Sequence, residues 1–361
     1  MVLITIMHSI LYFFIIGLLS FFQEKNEFEA EISTWHQNKK GAISISFDDA
    51  GYTQYTYAYP ILEKYNMKAT FSVVGEWTQE KPSFSAELGS FEIKKMGWQQ
   101  IIELHRHGHE IAAHGYKHQR YNRFSTIPEL VTKMKKIKHL IENKIHAPIY
   151  TLHYPYSFIS DSIIRATEVA GFLFGRAGKT KNLFVNAKTP QNFYLLVSNP
   201  ILNDTTPSIN GFINWTKQAN GNWLIIMYHH LFPKNSKEMS IMNYHHVTNT
   251  YSLFPETFEK QMKLIANSEY WVAPIADVGK YIIERENTTL TLNMINTNTL
   301  AINSKTLLDT TIYNFPLTLT IKLPWNKIQV TGSASDGNYK VSDNQLILYF
   351  LPKQTIIITK K

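Results

Sequence analysis

Cysteine is absent from all 361 residues, which excludes disulfides, thiolate metal sites and lipid attachment through a thiol. Charge is absent from the opening segment. Met1 to Phe22 contains no Lys, Arg, Asp or Glu, and its apolar stretch ends at Gln23-Glu24-Lys25. This pattern predicts an exported protein, periplasmic, cell-surface or extracellular. Because the segment lacks a basic start and Ser20-Phe21-Phe22 is a poor small-residue cleavage site, an uncleaved membrane anchor remains open beside a signal peptide. Dense basic runs are also scarce despite a formal net charge of +8. The closest approach to one, Lys133, Lys135, Lys136 and Lys138, falls in a helical pattern and reads as a solvated face, so no nucleic-acid partner is expected. There is no internal repeat, low-complexity linker or glycine-rich phosphate loop. What the chain does have is apolar material, 44% hydrophobic and 13% aromatic. That is enough for an exported protein without disulfides to rely on its core.

Short β-like runs alternate with amphipathic stretches: 42–47, 69–74, 110–113, 149–153, 171–175, 193–198, 223–228 and 270–272. The alternation predicts parallel strands linked by helices, among them 127–144, capped at Ser125 or Thr126 with Pro128 in the first turn, then 255–266 and 276–286. Polar residues gather where these runs end: Asp48 and Asp49, His114, His153 to Tyr156, and His229. In a barrel, the strand ends are where side chains from distant positions converge. Past Glu286 the composition changes to Thr, Asn, Ile and Leu, with no further Glu or His. The expected architecture is therefore α/β, a distorted (β/α) barrel of about seven strands followed by a small C-terminal all-β, sandwich-like domain. Its boundaries are 1–22 for the export segment, 23–286 for the barrel and 287–361 for the β domain.

The chemistry sits in two short stretches, Ser46-Phe47-Asp48-Asp49 and His114-Gly115-Tyr116-Lys117-His118. Together they offer one carboxylate and two imidazoles suited to a single divalent cation, with a second carboxylate to spare. Neither stretch is decisive alone. Paired Asp residues often serve as caps, and two His four apart simply share one face of a helix. His105, His107 and His109 form a denser cluster but lack a carboxylate other than Glu110, and read as structural or solvated.

In combination these motifs resemble the polysaccharide deacetylases, the NodB-like carbohydrate esterases of family four, over roughly residues 40–286. Ser46-Phe47-Asp48-Asp49-Ala50 is similar to the family's Thr-Phe-Asp-Asp-Gly, with Ala50 in place of glycine, and His114 to His118 to its His-x-x-x-His. The resemblance implies that Asp49, His114 and His118 hold the metal, usually zinc, and that Asp48 is the catalytic base. It implies further that Tyr156 lends its backbone N–H to the oxyanion, that His229 in Ile225-Ile226-Met227-Tyr228-His229 is the general acid, and that Met227 lines the acetyl pocket. Two departures stand out. His153 occupies the place of the arginine that pairs with the catalytic Asp in the family, where a protonated imidazole could substitute. Gly211 to Trp215 stands where the family carries the Asp that holds the general acid, leaving Asp204 as a weak candidate. His153, Met227, Trp215 and Arg176 are the candidate substrate-binding residues. The resemblance implies metal-dependent removal of acetyl groups, N-acetyl ahead of O-acetyl, from a polysaccharide. Two rival readings use the same residues: a glycan-binding protein without turnover on that scaffold, and a non-haem iron site with two His and one carboxylate.

Overall fold

The computed structural model describes residues 28–88, 91–124, 126–179, 183–237, 251–332, 339–342 and 344–361. The expected export segment, 1–22, lies outside the described residues.

The centre of the main sheet is built from chain that is buried on both faces. β2 (Ala42–Phe47) and β10 (Trp223–Tyr228) are buried at every position and pair in parallel from Trp223↔Ala42 to Tyr228↔Phe47. Continuous apolar runs of this kind are what a parallel sheet covered by helices requires. β3 (Thr70–Val73), β6 (Glu110–Ala113), β7 (Thr151–His153) and β8 (Phe174–Arg176) extend the sheet on one side and β9 (Asn199–Pro200) on the other, in the order β8-β7-β6-β3-β2-β10-β9. β13 (Trp271–Val272) pairs with the start of β2, at Ala42 and Ile43, whereas β3 pairs with its end, at Ser46 and Phe47. The outcome is a curled, seven-strand parallel half-barrel flanked by helices, as expected.

Helix α3 (Ile127–Ile145) shows how its sequence determines its placement. Thr126 Oγ1 accepts from Glu129 N at 3.3 Å, Pro128 occupies the first turn, and Leu130, Met134, Ile137, Ile141 and Ile145 form the buried stripe. Lys133, Lys135 and Lys136 are exposed on its other face. The expected strand at 193–198 is reduced to a parallel bridge on the end of β8, Gly175 N donating to Phe193 O at 2.9 Å, Leu196 N to Gly175 O at 2.9 Å and Ala177 N to Leu196 O at 2.7 Å. Asn186 meets the next residue from its side chain, its Oδ1 accepting from Val197 N at 2.9 Å and its Nδ2 donating to Val197 O at 3.0 Å.

The C-terminal part packs two four-stranded antiparallel sheets against each other. One contains β14 (Thr288–Asn296), β15 (Thr299–Thr306), β20 (Thr355–Lys360) and β17 (Ile328–Thr331). The other contains β1 (Glu29–Ile32), β16 (Leu317–Lys322), β19 (Gln345–Phe350) and β18 (Lys340–Ser342). Leu300, Ile302, Leu319, Leu348 and Ile358 fill the space between them in a cluster that continues into Trp223, Tyr281 and Ile282 of the barrel side. Residues 29–32, expected in the barrel, belong to this sandwich, because Ala30 and Ile32 lie opposite Ile321 and Leu319 on the edge of β16.

Candidate metal and acid-base site

Asp48 and Asp49 leave β2 in succession, and the chain turns at once: Asp49 and Ala50 have φ of 73° and 49°. A glycine, as the family motif carries at this place, would take such a left-handed turn without cost, and Ala50 adopts it here as a buried methyl. A second turn follows β6, where Gly115 at φ 79° folds the chain back and brings His118 against His114 with ring centroids 4.7 Å apart.

The Asp49, His114 and His118 side chains converge on one point. His114 Nε2 and His118 Nε2 are 3.2 Å apart, and each lies 3.4 Å from Asp49 Oδ1. Ligands held about 2.0–2.1 Å from a tetrahedral ion stand about 3.3 Å from one another, so the three distances match the edges of such a polyhedron. His114 Nδ1 donates to His153 O at 2.9 Å, which leaves Nε2 as the lone-pair nitrogen facing the cluster. Asp49 Oδ1 is buried and has no hydrogen-bond partner among the described residues. A buried, orphaned carboxylate oxygen is costly unless a cation takes it. The donor set, its spacing and the orphaned oxygen all fit a zinc-like divalent ion. Burial opposes ionisation of Asp49, but the imidazoles of His118, His114 and His229 and the Lys95 ammonium outweigh it and hold the carboxyl at about 2. Burial likewise lowers His118 to about 4, leaving it the neutral form a ligand must have.

Asp48 is held from the opposite side. Its Oδ1 accepts from Ser72 Oγ at 3.1 Å, His153 Nδ1 at 2.8 Å and Arg176 Nη2 at 2.8 Å, while Oδ2 accepts from the same Arg176 nitrogen at 2.6 Å. Burial would raise this carboxyl, but the Arg176 guanidinium first, then His114 and the hydrogen bond from His153, hold it well below the carboxylate range. The charge missing at position 153 is thus supplied by the next strand. His153 and Arg176 are register partners on β7 and β8, so both side chains reach Asp48 from one face of the sheet. His153 is fully buried and lowered to about 3 by burial and by Arg176, so it is neutral, contrary to the expected protonated substitute. Neither residue lines the cavity described below, and both are withdrawn as substrate-binding candidates.

His229, at the end of β10, faces the two carboxylates, with Nε2 4.0 Å from Asp48 Oδ2 and 3.8 Å from Asp49 Oδ2. Its Nδ1 is buried and finds no partner among the described residues, while Asp204 Oδ1 accepts from Phe254 N at 3.1 Å and is engaged elsewhere. These groups open into a cavity of about 380 Å³ whose walls include Arg120, Tyr156, Met227 and Tyr251. Met227 lies in the wall of this cavity. Tyr156 follows β7 at φ 58°, stands 58% exposed at the mouth and packs on His118 at 4.6 Å, with no acceptor for its N–H among the described hydrogen bonds. Trp215 is not in the wall; it packs edge-on against Phe184 at 5.2 Å. The unexpected contributors are Ser72, one residue before the end of β3, and Gln54, considered below. Of the histidine cluster, His109 accepts from Ala69 N at 3.1 Å and is a buried structural residue.

The curled parallel sheet thus gathers at its C-terminal strand ends an Asp-His-His cluster that could hold a metal ion and, beside it, an Asp held by a guanidinium. Residues 36–175 match the family model described as polysaccharide deacetylase. Among curated proteins, the chain is 28% identical over 172 residues to YxkH of Bacillus subtilis, whose name places it among polysaccharide deacetylases, covering 42% of this chain and 57% of that protein. It is 24% identical over 176 residues to poly-beta-1,6-N-acetyl-D-glucosamine N-deacetylase of Staphylococcus aureus, covering 48% of this chain and 60% of that enzyme. The chain therefore spans less than two thirds of the length of these relatives. Among solved structures, a polysaccharide deacetylase homologue from Mycobacterium smegmatis superposes with a TM-score of 0.49 at 14% identity, over 74% of this chain and 98% of that one.

Proposed function

We propose that this protein is an exported, zinc-dependent deacetylase that hydrolyses acetyl groups, N-acetyl ahead of O-acetyl, on a polysaccharide. The observation that carries the reading is the pair of roles built into adjacent residues. Asp49 turns an unpartnered Oδ1 toward His114 and His118, while Asp48, 3.7 Å from His114 Nε2, is anchored from behind by Arg176, His153 and Ser72. An ion held by Asp49, His114 and His118 would acidify a water and polarise the acyl oxygen. Asp48 Oδ2 takes a proton from the attacking water. A carboxylate held so low is a weak base, adequate only for a water already made acidic. The Tyr156 N–H donates to the developing oxyanion, the stabilisation on which acyl transfer depends most. His229 Nε2, 4.0 Å from Asp48 Oδ2, carries the proton taken from the water to the departing amine as the acyl C–N bond breaks, releasing acetate and a free amino sugar. Met227 and the exposed Tyr156 ring supply the apolar contact for acetyl and sugar.

The Staphylococcus aureus relative is named for poly-beta-1,6-N-acetyl-D-glucosamine, which makes that polymer the first substrate to try. Residues 1–22 support export, with membrane association through the same segment as a second possibility. The restored charge partner of Asp48 favours turnover over a binding-only role. The test is acetate release by zinc-loaded protein from a panel of acetylated glycans, with Asp48→Asn expected to reduce kcat by about 100-fold or more. No acetate from any glycan, or an unchanged rate in Asp48→Asn, rejects the proposal.

A further inference from the structure

We infer that Gln54 is a positioning residue that sets the separation between Asp48 and His229; the inference rests on the deacetylase reading for its kinetic consequence but not for its geometry. The β2/β10 ladder ends at Phe47↔Tyr228, followed by one more backbone bond from Asp48 N to Tyr228 O at 2.9 Å. Beyond it Asp49 and Ala50 turn left-handed, so strand pairing no longer controls where the two chemical side chains sit. The Gln54 amide spans this gap. Its Nε2 donates to Asp48 O at 2.5 Å and to His229 O at 2.7 Å, one nitrogen bridging the backbone of the two residues that bear the base and the acid. The preceding residue reinforces the link, Thr53 Oγ1 accepting from Leu231 N at 3.2 Å. Residues 229–231 are thereby gripped on both sides of His230. The approach is close enough that a Cβ on Gly51 would lie 2.8 Å from His230 Nδ1.

Gln54 is fully buried, its two N–H bonds both go to site residues, and its Oε1 has no partner among the described residues. The donor end is satisfied while the acceptor end is left unpaired, which is unfavourable in a buried site. Gln54 also opens the π-helical turn 54–58, an irregularity that recurs near functional sites, and its own N donates to Gly51 O at 3.0 Å, fixing the base of the turn.

The test compares wild type with Gln54→Met, which keeps the volume without a donor, and with Gln54→Leu, which also lacks a donor. Three measurements are made on the full zinc-loaded chain: kcat and KM on an acetylated glycan, bound zinc, and a crystal structure. Either folded variant is expected to retain wild-type zinc and KM within about 2-fold while kcat falls about 10- to 100-fold, because a misplacement near 1 Å is enough for such a loss. The crystal structure should show His229 Nε2 moved away from its present 4.0 Å from Asp48 Oδ2. An unchanged kcat in either folded variant overturns the inference. So does a fall in kcat that merely follows loss of zinc, or failure of both variants to fold, since the role is then structural. If wild type deacetylates no glycan, the proposed function fails on its own. The crystal structure then decides alone: a moved His229 keeps the positioning role and an unmoved one removes it.

Discussion

Arg176→Met is the most informative single change. The guanidinium is 1% exposed, and one of its nitrogens lies 2.8 and 2.6 Å from the two oxygens of Asp48 while the other donates to Ser198 Oγ at 2.9 Å. With charge centres about 4 Å apart and an effective dielectric near 20, the attraction is about 4 kcal/mol. Removing one partner of such a pair leaves a buried charge uncompensated, a loss of about 3–5 kcal/mol. In a chain of this size that corresponds to a fall in melting temperature of roughly 5 °C. The kinetic effect should be larger than the thermal one, because Asp48 loses its principal anchor and general-base catalysis contributes about 10²–10⁴-fold. A reduction in kcat of at least about 100-fold on an acetylated glycan is expected in folded, zinc-replete Arg176→Met. The exchange His153→Arg with Arg176→His should recover a substantial part of it, since the two positions are register partners facing the same carboxylate. Folded Arg176→Met with kcat within about 3-fold of wild type would refute the assignment of Arg176 as the partner of the base, because a displaced general base costs far more than that.

The remaining predictions concern the metal and the base of the barrel. His118→Ala removes one of three convergent donors from a loop rather than a strand, so the protein should stay folded while zinc affinity, measured by competition with a chelating dye, drops at least about 100-fold; undiminished affinity would reject the cluster. Glu284 is fully buried on α7 (Ile275–Glu286), with Oε1 accepting from Phe315 N at 2.9 Å, and burial pushes it up from 4.5 to about 7. Lys280 on the same helix and Tyr313 from the sandwich side face it. A carboxyl raised in the fold binds its proton more tightly folded than unfolded. Its stabilisation is therefore complete below about pH 4.5 and disappears as pH rises through about 7, a change on the order of 3 kcal/mol. Urea midpoints at pH 5 and pH 8 should show this loss in wild type and a flatter dependence in Glu284→Gln, and equal slopes would count against it.

The contrast between His153 and Arg176 shows why part of the site could be read in advance and part could not. Side chains alternate faces along a strand, so an error of one residue in a strand's end reverses the direction assigned to its last side chain. The fifth strand was expected to stop at residue 175, which leaves Arg176 in a loop; β8 in fact runs Phe174–Arg176, and the guanidinium points inward. Gln54 carried no signal at all, because its partners are backbone carbonyls and any residue type would present them. The segment 29–32 was likewise misplaced, since four alternating residues do not say which of two sheets they will join.

Chemistry whose parts are adjacent or strongly patterned is legible in residue order alone. The Asp48-Asp49 and His114…His118 donors, the wholly buried strands 42–47 and 223–228 and the capped helix beginning at 127 all follow from residue type and local period. Which cation holds the base, which amide joins base to acid and where the first strand pairs emerge on folding. Each of these depends on register between segments far apart in the chain, and register is determined by the packing of the whole core.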